Sequence, residues 1–119
     1  MASWIITIPK SVTLANYQVE IDQADRLGAV LNYRVPHDPG VKKGDLIWVC
    51  YKKRVRGFMK AVGCVHYPHG FTCPFTGIVW PAGWYVQRTG PFIPSSVQYM
   101  QSFRGIRRYY GCDEIPEDA

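Results

Sequence analysis

The sequence predicts an α+β domain: a small, strongly curved β-sheet or β-barrel flanked by short helices. Three observations carry that expectation. Short apolar runs rich in β-branched and aromatic residues, the mark of strands, recur at residues 3–8, 45–51, 55–66 and from Trp84 onward. Only residues 17–33 show the three- and four-residue apolar spacing of a helix face. Finally, 119 residues suffice for one core but not two. Strand runs interrupted by one or two helices indicate α+β, or a small barrel with helices beside it. Residues 1–112 are therefore read as a single domain and residues 113–119 as an acidic tail.

Residues 3–8 (SWIITI) form the first expected strand, stopped by Pro9, which has no N–H to give a ladder. In residues 17–33, Tyr17, Ile21, Ala24, Leu27, Val30 and Leu31 share a helical face. Gly28 weakens that helix by about 1 kcal/mol, so residues 28–33 read equally well as a short strand. Two prolines and a glycine make residues 34–40 a loop. A hairpin follows, its strands at 45–51 and 55–66 and its turn at Lys52, Lys53 and Arg54. This is the expected central pair of the sheet. Residues 67–83 form a long loop with three prolines and three glycines, holding at most a brief strand at 78–80. A loop of that length in a compact domain usually covers a site. The strand beginning at Trp84 is expected to end near Pro91 or Pro94, with Ser95 capping a short helix at 96–102. Residues 103–110 (FRGIRRYY) are read as a closing strand.

The net charge of +5 understates the basic surface. Four of the nine acidic residues lie in the last seven positions, leaving 14 basic against 5 acidic side chains over residues 1–112. Clustered cations suit a polyanion, whose bound counterions they release, but they also serve plain solubility. No run of 18 apolar residues occurs, so no membrane span is expected. The N-terminus lacks signal-peptide character, which points to a cytoplasmic protein. Cys50, Cys64, Cys73 and Cys112 include no CxxC pair and are read as reduced thiols. Cys64, His66, His69 and Cys73 lie within ten residues, but their spacing matches no common zinc finger, and no metal or cofactor is expected. No GxSxG, HExxH, P-loop or GxGxxG pattern occurs, so a non-catalytic binding domain is favoured over an enzyme.

The order of motifs resembles a known superfamily. A tryptophan-bearing first strand precedes a helix, then KKGDLIWVCY, RGFMKAVGCV and GWYVQRTGPFIP. This order is similar to that of PUA-like domains, in particular their EVE and YTH branches, with the ASCH branch as a sister. The pieces that match are Gly44-Asp45, residues 57–65 and residues 84–94, and SFRGIRRY resembles the end of EVE-like modules attached to restriction nucleases. The resemblance implies a curved sheet with a pocket at one end. There a modified base, flipped out of its strand, enters an aromatic cage while basic loops hold the backbone. It also implies a nucleic-acid partner, DNA ahead of RNA, and an effector nuclease as a further partner.

A flipped base needs flat walls, an edge-reading polar group and cations for the flanking phosphates. The candidate pocket residues are Ser11, Asn32, Tyr33, Trp48, Trp80, Trp84 and Gln87. Trp80 and Trp84 are the leading walls because of the long loop beside them. The phosphate-binding candidates are Lys52, Lys53, Arg54, Arg56, Arg104, Arg107 and Arg108. Each has a plain structural reading as well: a tryptophan fills the core, Ser11 caps the helix, and the basic turn is simply solvated. Two other functions stay open. One is an ASCH-type hydrolase of modified nucleosides, with Lys60 and Asp45 as the residues to change; the other is a protein-interaction module built on exposed aromatic residues.

Overall fold

The computed structural model describes residues 2–73, 77–100, 103 and 105–109, with residues 96–99 as backbone alone. The elements run β1 (Ser3–Thr7), α1 (Leu14–Leu27), β2 (Leu31–Val35), β3 (Leu46–Tyr51), β4 (Arg54–Tyr67), β5 (Phe71–Thr72), β6 (Val79–Trp80), β7 (Gly83–Tyr99) and β8 (Ile106–Arg108). Six strands form one sheet in the order β2-β7-β4-β3-β1-β8, while β5 and β6 make a separate small hairpin. The 45–66 hairpin is the central pair of that sheet, as its apolar runs suggest. The sheet curls into a half-barrel. Tyr33 spans the gap between its edges, donating its hydroxyl proton toward the carbonyls of Thr7 at 2.9 Å and Gly105 at 3.2 Å.

Alternation along the strands explains how both faces are filled. Trp4 and Ile6 of β1, Ile47, Val49 and Tyr51 of β3, and Met59 and Ala61 of β4 belong to the main core under α1. Ile5, Cys50 and Val55 point the other way, into a smaller cluster with Met100 and Tyr109.

Three sequence expectations are decided or corrected. Of the two readings open for residues 28–33, the strand holds, and the helix does not extend through residues 17–33. It begins at Leu14, where Thr13 caps it by accepting the Asn16 N–H, and it ends at Gly28, in the left-handed conformation at φ 68°. Glycine adopts that conformation without the Cβ clash other residues suffer, so the residue that weakens a helix interior here terminates the helix. The chain then re-enters as β2.

The second correction concerns the end of the chain. Neither Pro91 nor Pro94 ends β7, and residues 96–99 continue it as strand rather than helix. The β4–β7 ladder slips register between Val55 and Gly57, between Phe58 and Lys60, and between Ala61 and Gly63. Pro91 falls in the unpaired stretch between the Phe58–Ile93 and Lys60–Thr89 partners, and Pro94 stands opposite Gly57 beside a slip, places where a proline fits within a sheet. The β7 strand is also tied to the helix: Thr89 donates to the Ala29 carbonyl at 3.0 Å, and the Phe92 N–H reaches Asp25 Oδ1 at 2.9 Å. A methyl group on Gly90 would collide with the Ala24 carbonyl, so glycine sets how closely α1 approaches.

The third correction is to the β3–β4 turn, which comprises Lys52 and Lys53 only. Both lysines have positive φ, 51° and 60°. That geometry matches the right-handed twist of the flanking strands and ordinarily calls for Asn-Gly. Among the described residues no helix is long and apolar enough to cross a membrane. The acidic stretch 113–119, Cys112 and Arg104 lie outside the described residues.

Candidate ligand cavity

A cavity of about 270 Å³ opens where β2 meets α1, the segment after β1 and the β5–β6 hairpin. Its apolar walls include Ile8, Val12, Val30 and Leu31; Tyr33 and Trp80 supply rings, and Asn32, Gln23, Glu20, Arg34 and Arg88 supply polar groups. β2 is an edge strand, so the cavity wraps around it and draws on both of its faces.

Arg88 is the unusual member. It sits in the interior of β7, laddered between Leu31 and Ala61, and is 2% exposed. Its Nε and Nη1 have no hydrogen-bond partner among the described residues. Among those residues the ion pair within 4.0 Å is Arg26–Asp22 on the helix surface, so Glu20 does not neutralise Arg88 by direct contact. Burial lowers the Arg88 pKa to about 10, against the opposing pull of Glu20, Tyr33 and Tyr17. Burial in turn raises Glu20, with Arg88 resisting. A guanidinium that is buried and unpaired costs several kcal/mol, a cost that an incoming acceptor relieves.

The rings around the cavity are fixed from behind. Trp80 lies parallel to Phe71 at 6.0 Å between centroids, and both meet Tyr85 edge-on, at 5.9 and 5.0 Å. This stack clamps the β5–β6 hairpin to the outer face of β7, and the Tyr85 hydroxyl donates to the Pro81 carbonyl at 2.6 Å. Asn32 is oriented the same way. Its Oδ1 accepts from Gln87 Nε2 at 3.1 Å, and Gln87 also bonds the Tyr67 hydroxyl at 3.1 Å. The Asn32 amide is thereby turned so that its own N–H groups remain available.

Of the seven pocket candidates, the structure brings Asn32, Tyr33 and Trp80 to this cavity. Gln87 stands behind Asn32 as its support. Trp84 lines a separate open depression with Val35, Pro36 and Gly83, and packs on His66 at 4.7 Å. Trp48 faces the second cluster, against Phe58 at 4.8 Å and Tyr109 at 5.1 Å. Ser11 is exposed before the helix, whose cap is Thr13. Asp45 lies away from the cavity, its carboxylate held by Ala2, Trp4 and Lys42, while Lys60 is exposed.

Among the cations, Lys52, Lys53 and Arg54 are exposed at the β3–β4 turn. Lys52 and Arg56 lie over the Tyr51 ring at 5.5 and 5.9 Å. Tyr51 is itself stacked on Tyr17 at 4.5 Å and donates to the carbonyl of Val12, which lines the cavity, so one ring lies between the basic turn and the cavity wall. Arg107 covers Phe103 at 4.3 Å and Arg108 covers Trp4 at 5.1 Å.

Arg88, Arg34, Glu20 and Gln23 are the polar site residues that the sequence reading passed over. For Arg88 a signal existed. Period-two alternation puts Trp84, Val86 and Arg88 on one side of their strand, so a charge stands in an inward-facing series. For Glu20 no such signal exists, since a glutamate in a helix is ordinarily solvated.

The chain matches no family model, and neither the curated proteins nor the solved structures give a match.

Proposed function

We propose that the protein is a non-catalytic reader of nucleic acid, with a PUA-like fold, that takes a flipped, modified base into the Arg88 cavity. The observation that carries this reading is the buried Arg88, whose Nε and Nη1 lack a partner among the described residues, in a cavity that also offers Tyr33, Trp80 and a preset Asn32 amide. At about 270 Å³ the space is just below the ~300–1,000 Å³ typical of drug-sized ligands, which suits a single ring system. A base has the flat faces that rings accommodate and an edge that amides and guanidinium groups read.

The positive-φ lysines add support. A two-residue hairpin turn of this type favours Asn-Gly, and a non-glycine residue in the left-handed region costs of order 1–3 kcal/mol. Lysines held there against local preference suit a role in charge, and Lys52 lies over the Tyr51 ring that bonds Val12 of the cavity wall. Lys52, Lys53, Arg54 and Arg56 would then hold phosphates beside the extruded nucleotide, and a nuclease partner would supply any effector activity.

Titrating labelled oligonucleotides, with and without base modifications, tests the reading. Binding should weaken steeply with salt, as counterion release requires, and should fall on Arg88→Met. An absence of binding at low ionic strength would overturn it.

A further inference from the structure

The charges lining the cavity specify the edges of its occupant. Arg88 lines the space, and its buried Nε and Nη1 are donors that no described residue accepts. Glu20 lines the same cavity, half-buried on α1, and can only accept when ionised. The two make no ion pair, so an intervening group can satisfy both. Free phosphate does not suit this arrangement. It would meet the Glu20 carboxylate as well as the Arg88 and Arg34 guanidinium groups, Arg34 already donating to the Ala82 carbonyl at 3.3 Å, and it leaves the apolar walls of Ile8, Val12, Val30 and Leu31 unfilled.

We infer that the occupant is a planar heterocycle with a pair of in-plane acceptors for Arg88 and a donor edge for Glu20. The inference rests on the reader proposal only in taking that ring to be part of a nucleic acid. Two base chemistries share the pattern. Guanine presents O6 and N7 as the acceptor pair, the commonest partner of arginine, and N1–H and the 2-amino group as donors. A cytosine carrying a 5-carboxylate presents that carboxylate, a fork-shaped acceptor for arginine, beside its 4-amino donor. Adenine lacks such a pair, and cytosine and 5-methylcytosine offer only the neutral N3 and O2 of their pairing edge, a weaker partner for arginine than a carboxylate. The Asn32 amide, held by Gln87, adds a further donor to the lining.

The test measures binding of the full chain to guanosine, 7-deazaguanosine, 5-carboxycytidine and cytidine, and to oligonucleotides carrying each base at an unpaired position. Guanosine should bind at least ~10-fold tighter than 7-deazaguanosine, which lacks N7, or 5-carboxycytidine at least ~10-fold tighter than cytidine, which lacks the carboxylate, the effect of one hydrogen bond to a charged group. Which of the two binds identifies the source. Arg88→Met and Arg88→Gln should each abolish the preference, with a thermal melt showing that both remain folded. Glu20→Gln should weaken the preferred ligand while keeping the dependence on its acceptor. Equal binding within both pairs, no nucleoside binding at all, or a preference that survives both Arg88 changes, overturns the inference. Salt-dependent oligonucleotide binding without discrimination overturns it and leaves the reader proposal standing. Discrimination among nucleosides without oligonucleotide binding does the reverse.

Discussion

Asp45 and Arg88 are the two charged residues buried among the described part of the chain, at 6% and 2% exposure, and their surroundings differ completely. The Asp45 carboxylate accepts the Ala2 N–H at 3.1 Å, the Trp4 indole N–H at 3.0 Å and the Lys42 N–H at 3.0 Å. Arg88 has two buried nitrogens with no acceptor among the described residues. Asp45 pins the start of β1 to the turn before β3, whereas those two Arg88 nitrogens pin no described residue. Burial of a charge therefore does not mark a site here. Unmet hydrogen-bonding demand does.

The sharpest way to break the comparison is to remove both charges. Asp45→Ala leaves a buried indole N–H and two amides without an acceptor, at about 1–3 kcal/mol for each group left unsatisfied. A loss of about 3 kcal/mol is expected in chemical denaturation. A loss under about 1 kcal/mol would mean that Asp45 is not the clamp its hydrogen bonds suggest. Arg88→Met goes the other way, because an apolar side chain of similar length removes an unpaired buried charge. By analogy with buried ion groups replaced by hydrophobic ones, stability should hold or rise by about 1–2 kcal/mol while ligand binding is lost. If Arg88→Met instead destabilises as strongly as Asp45→Ala, Arg88 is structural and the cavity loses its central argument.

Asp45 and Arg88 also show how much of the molecule was legible in the sequence. The central hairpin, the first strand and the closing strand could be read because alternation and turn chemistry are local signals. Asp45 could be read as a turn-shaping residue because it follows Gly44 directly. The length of β7 could not, since passage through Pro91 and Pro94 depends on bulges set by the partner strand β4. The cavity was half legible. Asn32, Tyr33 and Trp80 announce themselves as polar or aromatic residues near loops, but Trp80 and Trp84 are separated by the β5–β6 hairpin folding back on Tyr85. That packing is tertiary, and spacing along the chain does not encode it. Glu20 reaches the cavity only because Gly28 stops the helix and Gly90 lets α1 lie close to β7.

A third change separates charge from strain at the basic turn. Lys52→Asn with Lys53→Gly restores the residues that the turn geometry favours, and should stabilise the fold by about 1 kcal/mol. If the lysines hold phosphates, the same variant should bind oligonucleotides more weakly. The slope of log affinity against log salt should fall by up to ~2, at about 0.9 for each duplex phosphate left unneutralised. A stabilised variant with an unchanged slope would leave the turn as solvated charge.

The smallest expected effect contrasts the two carboxylates by pH. Burial raises the Asp45 pKa, but the donations from Lys42, Trp4 and Ala2 outweigh it and hold the group below its ordinary 3.8. Its contribution is thus fully present above pH 3.8 and is lost as the pH falls through the lower folded value. Glu20 has the opposite sign. Burial raises it above its ordinary 4.5 and the attraction of Arg88 only partly offsets that, so the folded state binds the proton more tightly. Stability from Glu20 is greatest below pH 4.5 and declines as the pH rises through its raised folded value. Glu20→Gln should accordingly stabilise the unliganded protein at neutral pH by under about 1 kcal/mol and flatten the pH dependence just above 4.5. With ligand bound, the same variant should cost affinity, because the carboxylate then has a donor to meet. A glutamate that weakens the empty protein and strengthens the complex is one whose partner is the ligand. Equal effects in both states would make Glu20 a helix residue that merely lies near Arg88.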